Sequence, residues 1–209
     1  MTVKEKFLRY VQVETTSEES CESCPSSPNQ LVLASMLVDE LKAMGVANAR
    51  VDEHGYVYAT IPAKGDHPAK VGLIAHMDTS DGVRGATKPV CIPDYDGKPV
   101  TLANGVVIDG FDFLSSLAGQ ELIVTSGDSV LGADDKAGVA EIMALAQRLM
   151  APDARSTARS ASASRRTRRS DAARICSTSP ALAQTTPTRS MAARWANWST
   201  RTSTPLPAS

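Results

Sequence analysis

The chain has 209 residues, a formal net charge of −1 and a hydrophobic fraction of 42%. This length suits one sizeable domain, or one domain followed by a tail. No stretch approaches the ~20 consecutive apolar residues that cross a bilayer, and the charged N-terminus does not resemble a signal peptide. We therefore expect a cytoplasmic protein that has no membrane partner.

The charge is divided sharply along the chain. Residues 1–150 contain 12 Lys and Arg against 21 Asp and Glu, which gives a formal charge of −9. Residues 151–209 contain ten Arg, no Lys, two Asp and no Glu, which gives +8. The acidic part argues against a nucleic-acid partner. The second part lacks Gly, Val, Phe, Tyr and His, so it can bury little apolar area and is predicted to be a disordered tail.

The hydrophobic pattern of residues 1–61 predicts two helices and then two strands. Phe7, Leu8 and Val11 line one side of a short N-terminal helix. Residues 29–44 have apolar side chains at helical spacing, and Gly45 follows as a C-cap. Strands are predicted over 48–52 and 56–61, around a turn.

The next part of the chain continues the alternation of strands and helices. Residues 71–75 (VGLIA) form a continuous apolar run, which predicts a strand buried on both faces. Residues 80–120 are expected to be loop, 121–125 a strand, and 136–150 a helix. This order predicts an α/β domain with a mixed sheet flanked by helices, whose functional sites lie at the carboxyl ends of the strands.

Two motifs follow predicted strands. His76-Met77-Asp78 comes directly after VGLIA. Side chains alternate along an extended chain, so Asp78 lies on the same side as His76 and could accept its second ring N–H. That arrangement would leave the other ring nitrogen for a metal. Taken alone, however, this motif favours a purely structural His–Asp pair.

The second motif, Gly132 to Gly138 (GADDKAG), places two adjacent carboxylates at the start of a helix. Either carboxylate could simply cap the helix. The flanking glycines permit close backbone approach, which favours a preorganised ligand loop. We assign Asp134 to the metal and Asp135 to the cap.

Cysteine chemistry does not add a site. Cys21 and Cys24 form one CxxC pair, and no second pair of ligands with suitable spacing accompanies it. We interpret the cysteines as reduced loop residues.

Together the two motifs resemble the co-catalytic zinc aminopeptidases and carboxypeptidases, most closely the peptidase T family of tripeptide aminopeptidases. The strings that carry the resemblance are FLRYVQVETTS (7–17), HMDTS (76–80) and GQELIVTSGDSVLGADDKAGVAEIM (119–143). It implies that His76 ligates one of two zinc ions, that Asp134 bridges them, and that Asp78 orients His76. It also implies short peptides, tripeptides above all, as substrates. A related dipeptidase, carboxypeptidase or deacylase is the alternative within the family, and manganese or cobalt could replace zinc.

The resemblance also implies groups that should follow the second motif: a Glu-Glu pair whose first member is the general base, a further Asp, and a distant His. The chain has no Glu after Glu141 and no His after His76. Any homodimer would belong to the complete protein.

A shifted reading frame accounts for the missing groups. Joining the last base of each codon to the first two of the next allows IGFTPDEEIG from residues 161–171 and ADYAYTVDGGALGELEYENFN from residues 183–204. Two letters are forced, because Met191 and Trp195 each precede Ala and therefore yield Gly. We interpret residues 151–209 as out-of-frame translation. The alternatives are a basic disordered tail that binds nucleic acid or acidic partners, and a non-catalytic truncated product or binding module.

Overall fold

Three helices carry the apolar faces that the sequence predicts. A computed structural model describes residues 1–64, 70–81 and 83–154, together with the backbone of residues 159–165. The helices are α1 (Val3–Val11), α2 (Asn29–Ala43) and α3 (Ala133–Met150). Thr2 and Glu5 form a capping box at the start of α1, and Gly45 follows α2 with a left-handed φ of 91°. The predicted helices over 29–44 and 136–150 are confirmed.

The strands form one larger sheet and two small ones. They are β1 (Arg50–Val51), β2 (Val57–Ile61), β3 (Lys70–His76), β4 (Pro89–Ile92), β5 (Val100–Thr101), β6 (Val107–Ile108), β7 (Leu122–Thr125) and β8 (Arg159–Arg165). The larger sheet has the order β1-β2-β8-β3, with β8 antiparallel to β2 and parallel to β3. The pairs β4-β7 and β5-β6 are antiparallel. The mixed α/β class predicted from the sequence is confirmed.

The main core lies between the helices and β2 and β3. α3 packs on α1 and on β3, while α2 packs on β1 and β2. The side chains with the least exposure in this core are Tyr10, Val11, Leu33, Ala34, Leu37, Met77 and Ala140. A second, smaller cluster surrounds Val124 of β7. The core therefore fixes the carboxyl end of β3 against the first turns of α3.

The prediction that residues 71–75 are buried on both faces is wrong. Ala75 is buried, but the neighbouring Ile74, on the opposite face of β3, is 53% exposed, and Val71 is 47% exposed. Within the described residues, α3 packs on β3 and Ala75 is buried, while Val71 on the face of Ala75 and Ile74 on the opposite face are exposed.

Two further predictions differ from the structure. The expected loop over 80–120 contains β4, β5, β6 and a 3-10 helix (Leu114–Leu117), because its strands are only two to four residues long and leave little periodicity. In the predicted disordered tail, residues 159–165 form β8, since the gap between β2 and β3 offers backbone partners on both sides. The remainder of the tail lies outside the described residues. No helix in the described part combines the length and apolar character needed to cross a membrane.

Candidate metal centre

The carboxyl end of β3 presents His76. Its side chain is 19% exposed, and its Nε2 lies 2.9 Å from Oδ1 of Asp134 at the start of α3. These residues are 58 positions apart in the chain. The packing of α3 on β3 therefore joins the two sequence motifs into one cluster.

Asp78 occupies the other side of the imidazole. Nδ1 of His76 lies 3.3 Å from Oδ1 of Asp78 and 3.1 Å from the backbone carbonyl oxygen of the same residue. The Asp78 side chain is fully buried. The alternation of side chains along the extended chain thus places the carboxylate near the ring nitrogen, and the expectation that Asp78 accepts the ring N–H stays a prediction.

The start of α3 separates the two adjacent carboxylates. Asp134 and Asp135 have non-helical backbone angles, so the regular helix begins at Lys136. Oδ1 of Asp135 accepts a hydrogen bond from the backbone N–H of Gly138 at 3.2 Å, which is the geometry of a helix cap. A Cβ atom at position 138 would overlap this carboxylate, so glycine permits the cap. Burial raises the pKa of the Asp135 carboxyl.

Asp134, by contrast, turns away from the helix. Its side chain is 71% exposed and its carboxylate approaches His76. Gly132 allows this approach because its left-handed φ of 71° and its lack of a Cβ let the loop pass Thr79, whose Cγ2 would lie 2.8 Å from a Cβ. The cap that the sequence assigned to Asp135 is present in the structure, and the assignment of Asp134 to a metal stays a prediction.

The electrostatics of His76 favour a cation at this point. Burial lowers the pKa of the imidazole, but the carboxylates of Asp78 and Asp134 outweigh burial and raise that pKa above its ordinary value. A neutral imidazole has a single N–H and cannot donate to carboxylates at both nitrogens. A proton on Nε2, or a cation held by Nε2 and Asp134, would satisfy both groups.

The donor atoms fit zinc, which binds imidazole nitrogen and carboxylate oxygen at about 2.0–2.2 Å. Two atoms at that distance from one tetrahedral ion lie about 3.4 Å apart, so the 2.9 Å between His76 Nε2 and Asp134 Oδ1 would widen by about 0.5 Å to admit the ion. Among the described residues, no group of three or more His, Cys, Asp or Glu side chains could hold a metal. This part of the chain thus offers two candidate ligands, whereas a catalytic zinc takes three from protein.

Sequence reasoning missed the residues that lie behind the site. Residues 13–17 (VETTS), here called the backing segment, follow α1 and run beside residues 77–79. Ser17 Oγ donates to Oδ2 of Asp78 at 2.7 Å, and Lys136 Nζ donates to the carbonyl oxygen of Val13 at 2.7 Å. No spacing signal could have identified the first contact, because 61 positions separate its partners.

Several curated proteins with similar sequences are named peptidase T. The chain is 44% identical over 154 residues to peptidase T of Halothermothrix orenii, and 46% identical over 145 residues to peptidase T of Bacillus subtilis. These alignments cover 71% and 66% of this chain, but 38% and 35% of the relatives. The chain therefore spans little more than a third of the length of these relatives. No protein-family model matches the chain.

A solved structure shares the fold. The aminopeptidase PepT from Bacillus cereus matches with a TM-score of 0.52 and 20% sequence identity, over 78% of this chain and 35% of that chain. The described architecture therefore corresponds to part of the fold of that aminopeptidase.

Proposed function

Because this chain is a homologue of peptidase T over 71% of its length, we propose that its first 150 residues are the N-terminal part of a zinc-dependent aminopeptidase catalytic domain. The reaction is the release of the N-terminal residue from short peptides, tripeptides above all. The observation that carries the proposal is the position of His76, whose two ring nitrogens face the carboxylates of Asp78 and Asp134.

Each of these residues has a separate role in the proposal. His76 and Asp134 would hold zinc, and Asp134 would be the ligand shared by two ions. Asp78 accepts the Nδ1–H of His76 and so keeps Nε2 deprotonated and aimed at the metal. Zinc, when bound, polarises the scissile carbonyl and lowers the pKa of a bound water toward about 7.

We further propose that the 209-residue chain is inactive. A general base must lie within reach of the proton that it removes. The resemblance requires a Glu-Glu pair after the second motif, whereas the chain has no Glu-Glu pair there and no Glu after Glu141. Removal of a general base costs about 10²–10⁴ in rate, and missing metal ligands compound that loss.

The position of β8 supports the reading-frame explanation. β8 pairs with strands on both sides, and central strands are usually rich in β-branched and aromatic residues. Its sequence is RSASASR, which contains neither type. The shifted frame allows the strand-forming letters IGFT from residue 161 onwards, at the same place in the fold. An apolar strand in this position fits the sheet better than the written one.

The proposal is tested by comparing two proteins. Sequencing the gene through codons 150–156 locates a gained or lost base, and the frame-corrected gene then supplies the second protein. With added zinc, the corrected protein is expected to release the N-terminal residue of a tripeptide, and the 209-residue chain is not. Equal turnover by both would contradict the proposed inactivity and would place the base within residues 1–150.

Metal binding gives a second test, independent of turnover. With two candidate ligands among the described residues, the 209-residue chain should bind zinc weakly in calorimetry. His76→Ala should abolish the remaining binding. Tight uptake of two zinc ions per chain would contradict the proposed ligand set.

The candidate function of another class is a non-catalytic product or binding module built on the same fold. The missing Glu residues favour it for the chain as written. A corrected gene that gives an inactive, zinc-free protein would favour it for the whole protein.

A further inference from the structure

The backing segment makes its closest side-chain contact with the candidate metal centre at Asp78. This carboxylate is fully buried, so water cannot replace a lost partner. Its two oxygens are divided between two neighbours: Oδ2 accepts from Ser17 Oγ at 2.7 Å, and Oδ1 lies 3.3 Å from His76 Nδ1. Because the carboxylate is planar, the bond to Oδ2 also fixes the direction of Oδ1.

The Asp78 carboxylate needs a hydrogen-bond partner to fix its orientation. The terminal torsion of an aspartate is broad, so packing alone does not fix the plane of its carboxylate. The backbone of Asp78 competes for the same proton, since its carbonyl oxygen lies 3.1 Å from Nδ1. Ser17 therefore favours the orientation in which the charged oxygen, rather than the neutral carbonyl alone, faces the ring.

The backing segment is held firmly enough to act in this way. Thr79 N–H donates to the Thr15 carbonyl at 3.1 Å, and Ser17 N–H donates to the Thr79 carbonyl at 3.0 Å. Thr15 Oγ1 also donates to the Met77 carbonyl at 2.7 Å. Together these bonds join the backing segment to the residues that carry Asp78, as a short parallel bridge beyond the end of β3.

We infer that Ser17 is a positioning residue of this centre, which acts on His76 through the carboxylate of Asp78. The inference rests on the proposed function in one respect: orienting Nε2 of His76 is useful only if that nitrogen binds a metal. The claim that Ser17 orients the Asp78 carboxylate toward His76 applies to the metal-free protein. Ser17 touches neither a metal nor a substrate, so its effect on the imidazole must pass through Asp78.

The test uses the Nδ1–H proton of His76, observed by NMR in the metal-free 209-residue chain at one fixed pH and assigned by its loss in His76→Ala. A proton shared with a carboxylate resonates farther downfield than one shared with a neutral carbonyl. Ser17→Ala should move the signal upfield or broaden it. Ser17→Thr, which keeps the hydroxyl, should leave the signal at the position seen in the unsubstituted chain. In an Asp78→Asn background, Ser17→Ala should cause no further shift.

Ser20→Ala is the matched control. Ser20 Oγ also donates to a carboxylate, that of Glu18 at 2.8 Å, but this pair is exposed and does not involve Asp78. Its removal should leave the His76 signal unchanged. Three results would overturn the inference: an unchanged signal in Ser17→Ala, an equal change in Ser17→Thr, or no such signal in the unsubstituted chain.

Zinc calorimetry separates this inference from the proposed function. Removal of a group that contacts a metal ligand costs roughly 10–100-fold in metal affinity. If His76 binds zinc, Ser17→Ala should weaken the zinc affinity by less than this, because Ser17 contacts Asp78 and not His76. If zinc binding does not depend on His76, the proposed function fails, and the NMR comparison still decides the role of Ser17.

Discussion

His76 and Asp134 face each other across the candidate metal centre, but the protein holds them in different ways. On the β3 side, Asp78 is fully buried and receives a hydrogen bond from the backing segment. On the α3 side, the Asp134 side chain is 71% exposed and projects from a turn that Gly132 makes possible. Under the proposed function, the difference predicts that the β3 side contributes to both stability and activity, whereas the carboxylate on the α3 side contributes to activity alone.

The largest expected effect is on activity and concerns the exposed carboxylate. In the frame-corrected protein, Asp134→Ala should reduce tripeptide hydrolysis to background, because the metal bridge is lost. Asp78→Ala should reduce it only by roughly 10–100-fold, since it removes a partner of the ligand and not the ligand. Initial rates at saturating zinc measure both. Asp39→Ala, an exposed change on α2, should have no effect.

Stability should reverse that order. Asp78→Ala removes a buried, charged hydrogen-bond acceptor and should lower the free energy of unfolding by about 1.5–3 kcal/mol. Asp134→Ala should change it by no more than about 0.5 kcal/mol, because the side chain is mostly exposed. Urea denaturation of the 209-residue chain measures both values. Equal destabilisation by the two substitutions would contradict the contrast between the two sides.

The turn before Asp134 allows a test of close approach. Gly132→Ala forces a side chain into left-handed backbone at a φ of 71° and against Thr79. Gly105→Ala imposes similar backbone strain at a φ of 88°, with no atom within 4 Å of the new Cβ. The strain should cost about 1–2 kcal/mol at each position, and Gly132→Ala should cost more because of the contact. Thermal unfolding of both variants measures the difference in stability. Equal losses of stability would show that the side chain of Thr79 moves away from the new Cβ at little cost.

A last prediction concerns α1, the helix from which the backing segment extends. Tyr10 is buried and donates a hydrogen bond to Glu40 of α2 at 2.7 Å. Burial, reinforced by this bond, raises the pKa of the phenol. A group whose pKa is raised on folding stabilises the protein below its unfolded pKa, here about 10, and that contribution is lost as the pH rises further.

Tyr10→Phe should therefore cost about 1 kcal/mol at neutral pH, the value of one hydrogen bond. It should also make the loss of stability above pH 10 shallower. Urea denaturation at pH 7 and at several values above pH 10, with the unsubstituted chain as reference, measures both. An unchanged alkaline slope would show that another group governs it.

Much of the local structure could be predicted from the sequence, because it depends on near neighbours. The helical spacing in 29–44 and 136–150 and the glycine after α2 correspond to α2 and α3 in the structure. The identification of Asp135 as the cap also followed from local chemistry, since its partner Gly138 lies three residues away. The likeness of the two motifs to a zinc peptidase family was likewise available without coordinates.

Only the tertiary structure decided which distant groups meet. The contact between His76 and Asp134 depends on how α3 packs on β3, and the bond from Ser17 to Asp78 depends on the path of the backing segment. No periodic pattern in the sequence could reveal these two contacts, because 58 and 61 positions separate the partners. The exposure of Ile74 was also decided by long-range packing. The apolar run VGLIA predicted a buried strand, but the burial of a strand depends on which other elements cover it. Local chemistry therefore determined the helices, their caps and the candidate ligands, and long-range packing determined how those ligands are held.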